Sequence, residues 1–127
     1  MSMIELLIEM FTKMVVAKDA SLIPKYYHED FILYTNGQSW DYDQFLKMHE
    51  EIYQTPITYQ IRYDERTFVE DNDRIAARVW ITTQVANQSP KEIEVILIAE
   101  YKENQIYRLW ELTYPDWSNL PEFEGHS

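Results

Sequence analysis

Residues 57–113, ITYQIRYDERTFVEDNDRIAARVWITTQVANQSPKEIEVILIAEYKENQIYRLWELT, decide the fold. Apolar and polar side chains alternate through most of this stretch, the period of a strand with two different faces. Asp71-Asn72-Asp73, Asn87 to Pro90 and Glu103-Asn104 are turn sequences. They divide it into four strands, at about 57–70, 74–86, 92–102 and 106–113. The third contains a near-continuous apolar run, Ile93 to Ala99, interrupted by Glu94. That pattern predicts a central strand covered on both faces.

The residues before this stretch read mostly as helix. Ile4, Leu7, Ile8, Phe11, Met14 and Val15 recur at helical spacing. Ser2 and Glu5 form a capping box at the start, and the helix is expected to end near Lys18. A short second helix is predicted over 21–28, with Pro24 tolerated in its first turn. A brief strand over 31–34 precedes the turn pair Asn36-Gly37. Asp41, with Gln44 three residues on, caps a third helix that runs to about Tyr53. Its apolar face carries Phe45, Met48 and Ile52, with His49 on the same stripe. Helices first and a long antiparallel sheet afterwards give an α+β cone with room for an internal pocket.

Composition narrows what such a pocket can serve. The 127 residues suit one domain with a single core, ordered over about 3–114 and followed by a polar tail over 115–127 that is expected to be loose beyond Leu120. Five Phe, ten Tyr and four Trp suit half-buried walls with polar tips, as well as ordinary sheet packing. A net charge of −11 argues against nucleic acid and anionic membrane surfaces as partners. With no Cys, thiol nucleophiles and zinc-thiolate sites are excluded. Met1 to Met10 carries Glu5 and Glu9 and lacks a basic start, so it makes a poor signal peptide. No apolar run is long enough to span a bilayer, and a cytoplasmic location is the expectation. Two glycines cannot build a phosphate-cradling loop. His28-Glu29-Asp30 are adjacent rather than convergent, so no metal is expected, and nothing in the sequence calls for a cofactor.

Several segments carry a resemblance to the nuclear-transport-factor-2-like superfamily, in its SnoaL-like and ketosteroid-isomerase-like branch. They are Lys25-Tyr26-Tyr27-His28-Glu29-Asp30-Phe31, the turn Asp71-Asn72-Asp73-Arg74-Ile75-Ala76-Ala77-Arg78, and the closing hairpin from Glu100-Tyr101 through Ile106-Tyr107-Arg108-Leu109-Trp110-Glu111. The family usually has Gly before the isoleucine of the last strand, where this chain has Gln105. The resemblance covers about residues 3–114. It implies a curved, mixed, mainly antiparallel sheet wrapped around a long first helix, with a pocket open at one end. It also implies a homodimer packed through the outer sheet face, where Trp110 and Arg108 are expected. The positions at which the family's isomerases carry an Asp base and two oxyanion donors fall at Thr35, Phe11 and Leu97. None can do that work, so ketosteroid isomerisation is not expected.

The same placement predicts the pocket lining. It puts Arg78, Trp80, Thr82 and Gln84 on the inner face of the 74–86 strand. On the last strand it puts Leu109, Glu111 and Thr113 inside, and it puts Tyr34, Trp40, His49 and Tyr53 near the mouth. Glu111 on an apolar concave face would be desolvated and suited to acid–base work. Its plainer alternative is a structural ion pair with Arg78. His49 has the intrinsic pKa of a proton carrier, though a lone His on a helix face is often only a packed side chain. Arg78 and Tyr34 are candidate polarising groups, and Trp80, Trp40, Tyr53, Thr82 and Thr113 are candidate ligand contacts.

Three functions remain open on this reading. One is a binding protein for a small, fairly apolar organic molecule. The second is a cofactor-free acid–base enzyme of isomerase, cyclase or dehydratase type, using Glu111 and His49. The third is a protein-interaction module whose pocket is filled by its own side chains.

Overall fold

The computed structural model describes residues 1–123. Helix α1 spans Met3–Met10 and opens on the expected capping box, with Ser2 and Glu5 each bonding the other's backbone. It continues as a π-helical segment over Phe11–Val16, whose Phe11, Met14 and Val15 face the interior. Lys18, with φ at 57°, ends the run, and its Nζ donates to the Thr55 carbonyl at 2.6 Å. A 3-10 turn over Ala20–Leu22 leads into the short helix α2, Ile23–Tyr26. The second helix is therefore shorter than its periodicity suggests. Tyr27 is already in strand β1, Tyr27–Thr35, because its backbone pairs with Ile106 on the last strand.

Asn36 and Gly37 both take positive φ and form the two-residue turn of a hairpin into β2, Gln38–Asp41. Mirror-image turns of this kind match the twist of the strands they join. Helix α3, Tyr42–Ile52, follows with its Asp41–Gln44 capping box in place. The four remaining strands are β3 Thr58–Asp71, β4 Arg74–Gln84, β5 Lys91–Lys102 and β6 Gln105–Tyr114. Glu103 and Asn104, both with positive φ, join the last two.

The six strands form one unclosed mixed sheet in the order β2-β1-β6-β5-β4-β3. Every pairing is antiparallel except β1 with β6. A register shift between Asp64 and Val69 bends β3, and the Thr67 hydroxyl spans it, donating to the Asp64 carbonyl and accepting from the Arg78 amide. The concave face receives Leu7 and Met10 of α1, the π-helical segment, and Phe45 and Ile52 of α3. Phe31, Ile75, Val79, Ile93, Val95 and Ile106 form the sheet's side of that core and are essentially inaccessible.

Two expectations about faces and ends are corrected. On β4 the inward side chains are Ile75, Ala77, Val79, Ile81 and Thr83, so Arg78, Trp80 and Thr82 point outward and Gln84 is exposed at the strand end. A one-residue shift of frame moves a whole strand's side chains to the other face. The frame was hard to read because Trp80 is apolar yet lies outside. Its indole is packed between the guanidinium carbons of Arg62 at 3.7 Å and Arg78 at 4.3 Å. Arg78 then bonds Glu94 through Nε at 2.8 Å and Asp64 through Nη1 at 3.2 Å, rather than Glu111. The other correction concerns the tail. After the cis Tyr114–Pro115 bond, short 3-10 turns at Trp117–Asn119 and Pro121–Phe123 fold back over the cone, burying Leu120 and Phe123. The expected looseness beyond Leu120 does not apply to Phe123, and residues 124–127 lie outside the described residues.

The expected two-sided cover of the central strand is also absent in the single chain. Ile96 and Ile98 of β5 are 53% and 45% exposed, beside Trp110 and Leu112 of β6 at 38% and 67%.

The face assignment of β4 predicts unequal losses. Replacing Ile75 by Ala should cost about 3 kcal/mol, since it empties a sealed position. Replacing Trp80 by Ala should cost about 1 kcal/mol, the scale of exposed cation–π and surface ion-pair contacts. Urea unfolding of the two variants checks the order, and an Ile75 variant as stable as wild type would contradict it.

Candidate functional site

The side chains that α1, α3 and the sheet turn inward do not fill the cone. A cavity of about 140 Å³ remains, walled mainly by apolar and aromatic groups. Leu7, Met10, Phe11, Met14 and Val15 come from the first helical run. Phe45, Met48, His49, Ile52 and Tyr53 come from α3 and its end, and Tyr59, Ile81, Val95, Leu97 and Leu109 from the strands. A cavity of roughly 150 Å³ with such walls accepts one benzene. The space therefore suits one ring-sized molecule.

Glu111 is the polar group that sets the character of this space. Alternation on β6 turns it inward with Leu109. The strand register places it beside Leu97 of β5 and Thr35 of β1. Burial against apolar walls pushes its carboxyl up to about 7 from 4.5, since the charged form has lost water without gaining a cation. The Thr35 hydroxyl nearby opposes the rise, but it makes no hydrogen bond of ordinary geometry and its buried oxygen is left without a partner.

His49 responds to the same burial in the opposite sense. Its ring is pushed down to about 4 from 6.5, so at neutral pH it carries no charge. Nδ1 lies 2.8 Å from the Phe45 carbonyl, which can only accept, so the proton of the neutral ring sits on Nδ1. Nε2 is then the nitrogen with a free lone pair. The ring is wedged between Phe45, at 4.0 Å between centroids, and Tyr53, at 5.3 Å. Burial also pushes the Tyr27, Tyr53 and Tyr59 phenols up, keeping them neutral.

The mouth is built from β2 and the folded-back end of the chain. Asn36, Gln38 and Trp40 meet Asp116, Trp117, Ser118 and Phe123 there. Trp117 and Phe123 pack edge to face at 5.1 Å. Asp116 accepts from the amide and hydroxyl of Ser118, bonds that hold its carboxyl below the usual range. The hydrogen bonds of this strap run mostly within it, from Asn119 to Asp116, Leu120 to Trp117 and Phe123 to Leu120.

Of the expected site residues, the structure brings Glu111, His49, Trp40 and Tyr53 together around the cavity. Arg78, Trp80 and Thr82 lie on the far side of the sheet. Tyr34 also points outward and stacks on Trp110 at 6.0 Å, so neither polarising candidate reaches the cavity. Thr113 exchanges two hydrogen bonds with the Asn36 side chain and serves to hold that turn. Thr35, Phe11 and Leu97 also line the cavity. Trp117 and Phe123 were not expected at the site, since nothing in the polar tail signals where it docks. Tyr59 could have been found from the alternation of 57–70.

No family model matches the sequence, and no curated protein matches it. Solved structures do. An NTF2-like protein of unknown function from Cytophaga hutchinsonii superposes with a TM-score of 0.66 over 91% of this chain and 92% of its own, at 14% identity. The chain has the nuclear-transport-factor-2-like (NTF2-like) fold. Two further structures with NTF2-like likeness to this chain are IdmH, a proposed polyketide cyclase from Streptomyces antibioticus, and an LEH-like epoxide hydrolase from M. tuberculosis. IdmH is 11% identical, with a TM-score of 0.71 over 90% of this chain and 93% of its own. The hydrolase is 10% identical, with a TM-score of 0.72 over 87% and 81%. At these identities the likeness concerns the NTF2-like fold and leaves its contents to the residues themselves. Among the described residues no helix is long and apolar enough to cross a membrane, and no group of three or more His, Cys, Asp or Glu could hold a metal ion.

The opposed shifts of Glu111 and His49 predict a cancellation. Between pH 4.5 and 7 the folded protein holds a proton on Glu111 that the unfolded chain has lost, so this group's contribution is lost as pH rises. Between pH 4 and 6.5 the unfolded chain binds a proton at His49 that the folded protein refuses, so that contribution is lost as pH falls. Wild-type stability should be nearly flat from pH 4.5 to 6.5 as far as these groups are concerned. Stability should rise with pH in Glu111→Gln and fall with pH in His49→Gln, each by on the order of 3 kcal/mol across the window. Urea unfolding at stepped pH measures both slopes, and parallel profiles for the two variants would contradict the assignment.

Proposed function

We propose that the cone binds one small, apolar, ring-sized organic molecule and that Glu111 exchanges a proton with it in a cofactor-free reaction. The observation that carries this reading is a carboxyl without a cation partner on the wall of an apolar cavity, poised to titrate near pH 7. A group whose pKa lies close to the working pH is the most effective proton donor or acceptor. His49 offers Nε2 as a hydrogen-bond acceptor and orients the molecule, since at neutral pH its ring has no proton there to give. Isomerisation, cyclisation and dehydration all need this kind of proton transfer and no redox partner. The proposed polyketide cyclase and the epoxide hydrolase that share the fold are compatible with chemistry inside the cone, without fixing which.

A binding protein without catalysis is the second reading. It is favoured by Thr35, Phe11 and Leu97, which place no base or oxyanion donor where the isomerases of the resembling family carry them. A packed cone serving only protein contacts fits the open cavity least well.

We also propose that a second copy of the chain covers the outer sheet face, giving a homodimer. Ile96, Ile98, Trp110 and Leu112 form a contiguous apolar patch there, of the kind that monomers seldom leave in water. Arg108 contributes less than expected, because its guanidinium is occupied by the Asp30 and Tyr107 carbonyls and stacks on the Tyr107 ring.

Two experiments test these readings. Toluene, followed by its effect on the methyl and Trp resonances of the cavity wall, should bind wild type and not Leu97→Trp, which fills the space. Ring-sized isomerisable compounds in D2O should then take up deuterium in the presence of wild type, with a rate that inflects near pH 7 and is lost in Glu111→Gln. Toluene binding without Glu111-dependent exchange would leave the binding reading alone. Sedimentation should give a dimer that Leu112→Arg converts to monomer, and a monomeric wild type would sink the dimer.

A further inference from the structure

The walls of the cavity have a one-sided charge. Glu111 and Asp116 line it, and among the described residues no Lys or Arg does. The guanidinium nearest to expectation, Arg78, is on the other face of the sheet and committed to Glu94 and Asp64. The uncharged polar groups of the wall, Thr35, Asn36, Gln38, Ser118 and the phenols, both donate and accept, and the bare Nε2 of His49 is an acceptor. Rings of Phe11, Trp40, Phe45, Tyr53 and Tyr59 present π faces and edges to the space. Around all of this the chain carries a net charge of −11.

The carboxyls, the ring faces and the net charge disfavour an anion and favour a cation. A carboxylate or phosphate ligand would enter an apolar space beside Glu111 and Asp116 with no cation to neutralise it, which costs free energy. A cation would meet the missing partner of Glu111, aromatic faces that attract positive charge, and a surface field that draws it in. From this cavity, its unpaired carboxyl and its lack of any basic group, we infer that the natural ligand is a small apolar amine or imine that is positively charged when bound. The inference rests on the ligand-binding reading above and narrows it.

It also accounts for the absent oxyanion donors. Removing a proton from a neutral carbonyl compound leaves an anion; Phe11 and Leu97 supply no donor to it, and the donors elsewhere on the wall carry no positive charge. Removing a proton from the carbon beside a protonated imine is different. The C–H pair becomes a C=C bond, the C=N pair becomes a lone pair on nitrogen, and the proton goes to Glu111. The product is a neutral enamine, and the charge in the site falls as the carboxylate becomes a carboxylic acid. Where the enamine is conjugated with a further C=C bond, Glu111 returns the proton to the far carbon of that dienamine, the nitrogen lone pair re-forms C=N, and the double bond has moved, which completes an isomerisation.

The test is a matched set of single-ring probes: benzylamine, benzyl alcohol, toluene and benzoate, titrated against the full chain by NMR or calorimetry. The titratable groups that share the cavity wall with Glu111 are His49, Tyr27, Tyr53, Tyr59 and Asp116. Their shifts lie away from the range between pH 6 and 8, downward for His49 and Asp116 and upward for the phenols. Benzylamine stays protonated over that range. Its affinity should therefore rise several-fold from pH 6 to 8 as Glu111 ionises, and drop at least about tenfold in Glu111→Gln, the scale of a hydrogen bond to a charged group. Benzoate should not bind. Toluene and benzyl alcohol should bind wild type and Glu111→Gln alike, which also shows that the variant is folded. If the two neutral probes bind but benzylamine binds no better than they do, or binds Glu111→Gln equally well, the charge inference is overturned while the pocket stands. If none of the four binds, the pocket reading fails with it.

Discussion

The parallel pairing of β1 with β6 is the constraint from which the site follows. Parallel neighbours cannot be joined by a tight turn and need a long connection. Here the chain between them runs through β2, α3 and three further strands before returning. That route lays α3 across the concave face and delivers β6 to the middle of the sheet, between β1 and β5. It also sets Thr35 opposite Glu111 and Tyr27 opposite Ile106. The carboxyl thus sits where the helices roof the cone instead of at an open edge. The pairing shortens α2 as well, because Tyr27 makes its contribution as a strand residue.

Desolvation is the second organising influence, and its two effects have to be read together. The same apolar walls keep a proton on Glu111 and keep one off His49. A neutral acid and a neutral base in one small space is a less costly arrangement than two buried charges, and it leaves both groups able to respond to what enters. An ion pair between them, or between Glu111 and Arg78, would have fixed the protons and spent that responsiveness. The outer face shows the opposite solution. There Arg62, Trp80, Arg78, Glu92, Glu94 and Asp64 form a solvated lattice of stacked and paired charges.

Most of the element order was legible in the sequence. Both capping boxes, the Asn36-Gly37 hairpin turn, and the turns at Asp71-Asn72-Asp73 and Glu103-Asn104 are local signals, and the structure uses them as read. The inward face of β6, and with it Glu111, was readable because Leu109 and Glu111 alternate with the charged and aromatic side chains Arg108 and Trp110. The frame of β4 was not, since Val79, Trp80 and Ile81 are apolar on both faces and only the neighbouring arginines explain why the indole lies outside. Tyr34 was misplaced for the same reason, its stacking partner Trp110 being some 76 positions away in the chain. The docking of Trp117 and Phe123 depends on a cavity that has no local signature at all.

That docking ties the end of the described chain to the occupancy of the cone. The strap lies outside the sheet ladder and borders the mouth with Trp117 and Phe123, so its grip depends on what those rings touch. Any occupant that packs against Trp117 or Phe123 tightens the strap by the same free energy with which the strap holds the occupant, because coupling between two equilibria is reciprocal. The affinity of the cone for an occupant and the equilibrium opening of the last turns are therefore one quantity seen from two sides.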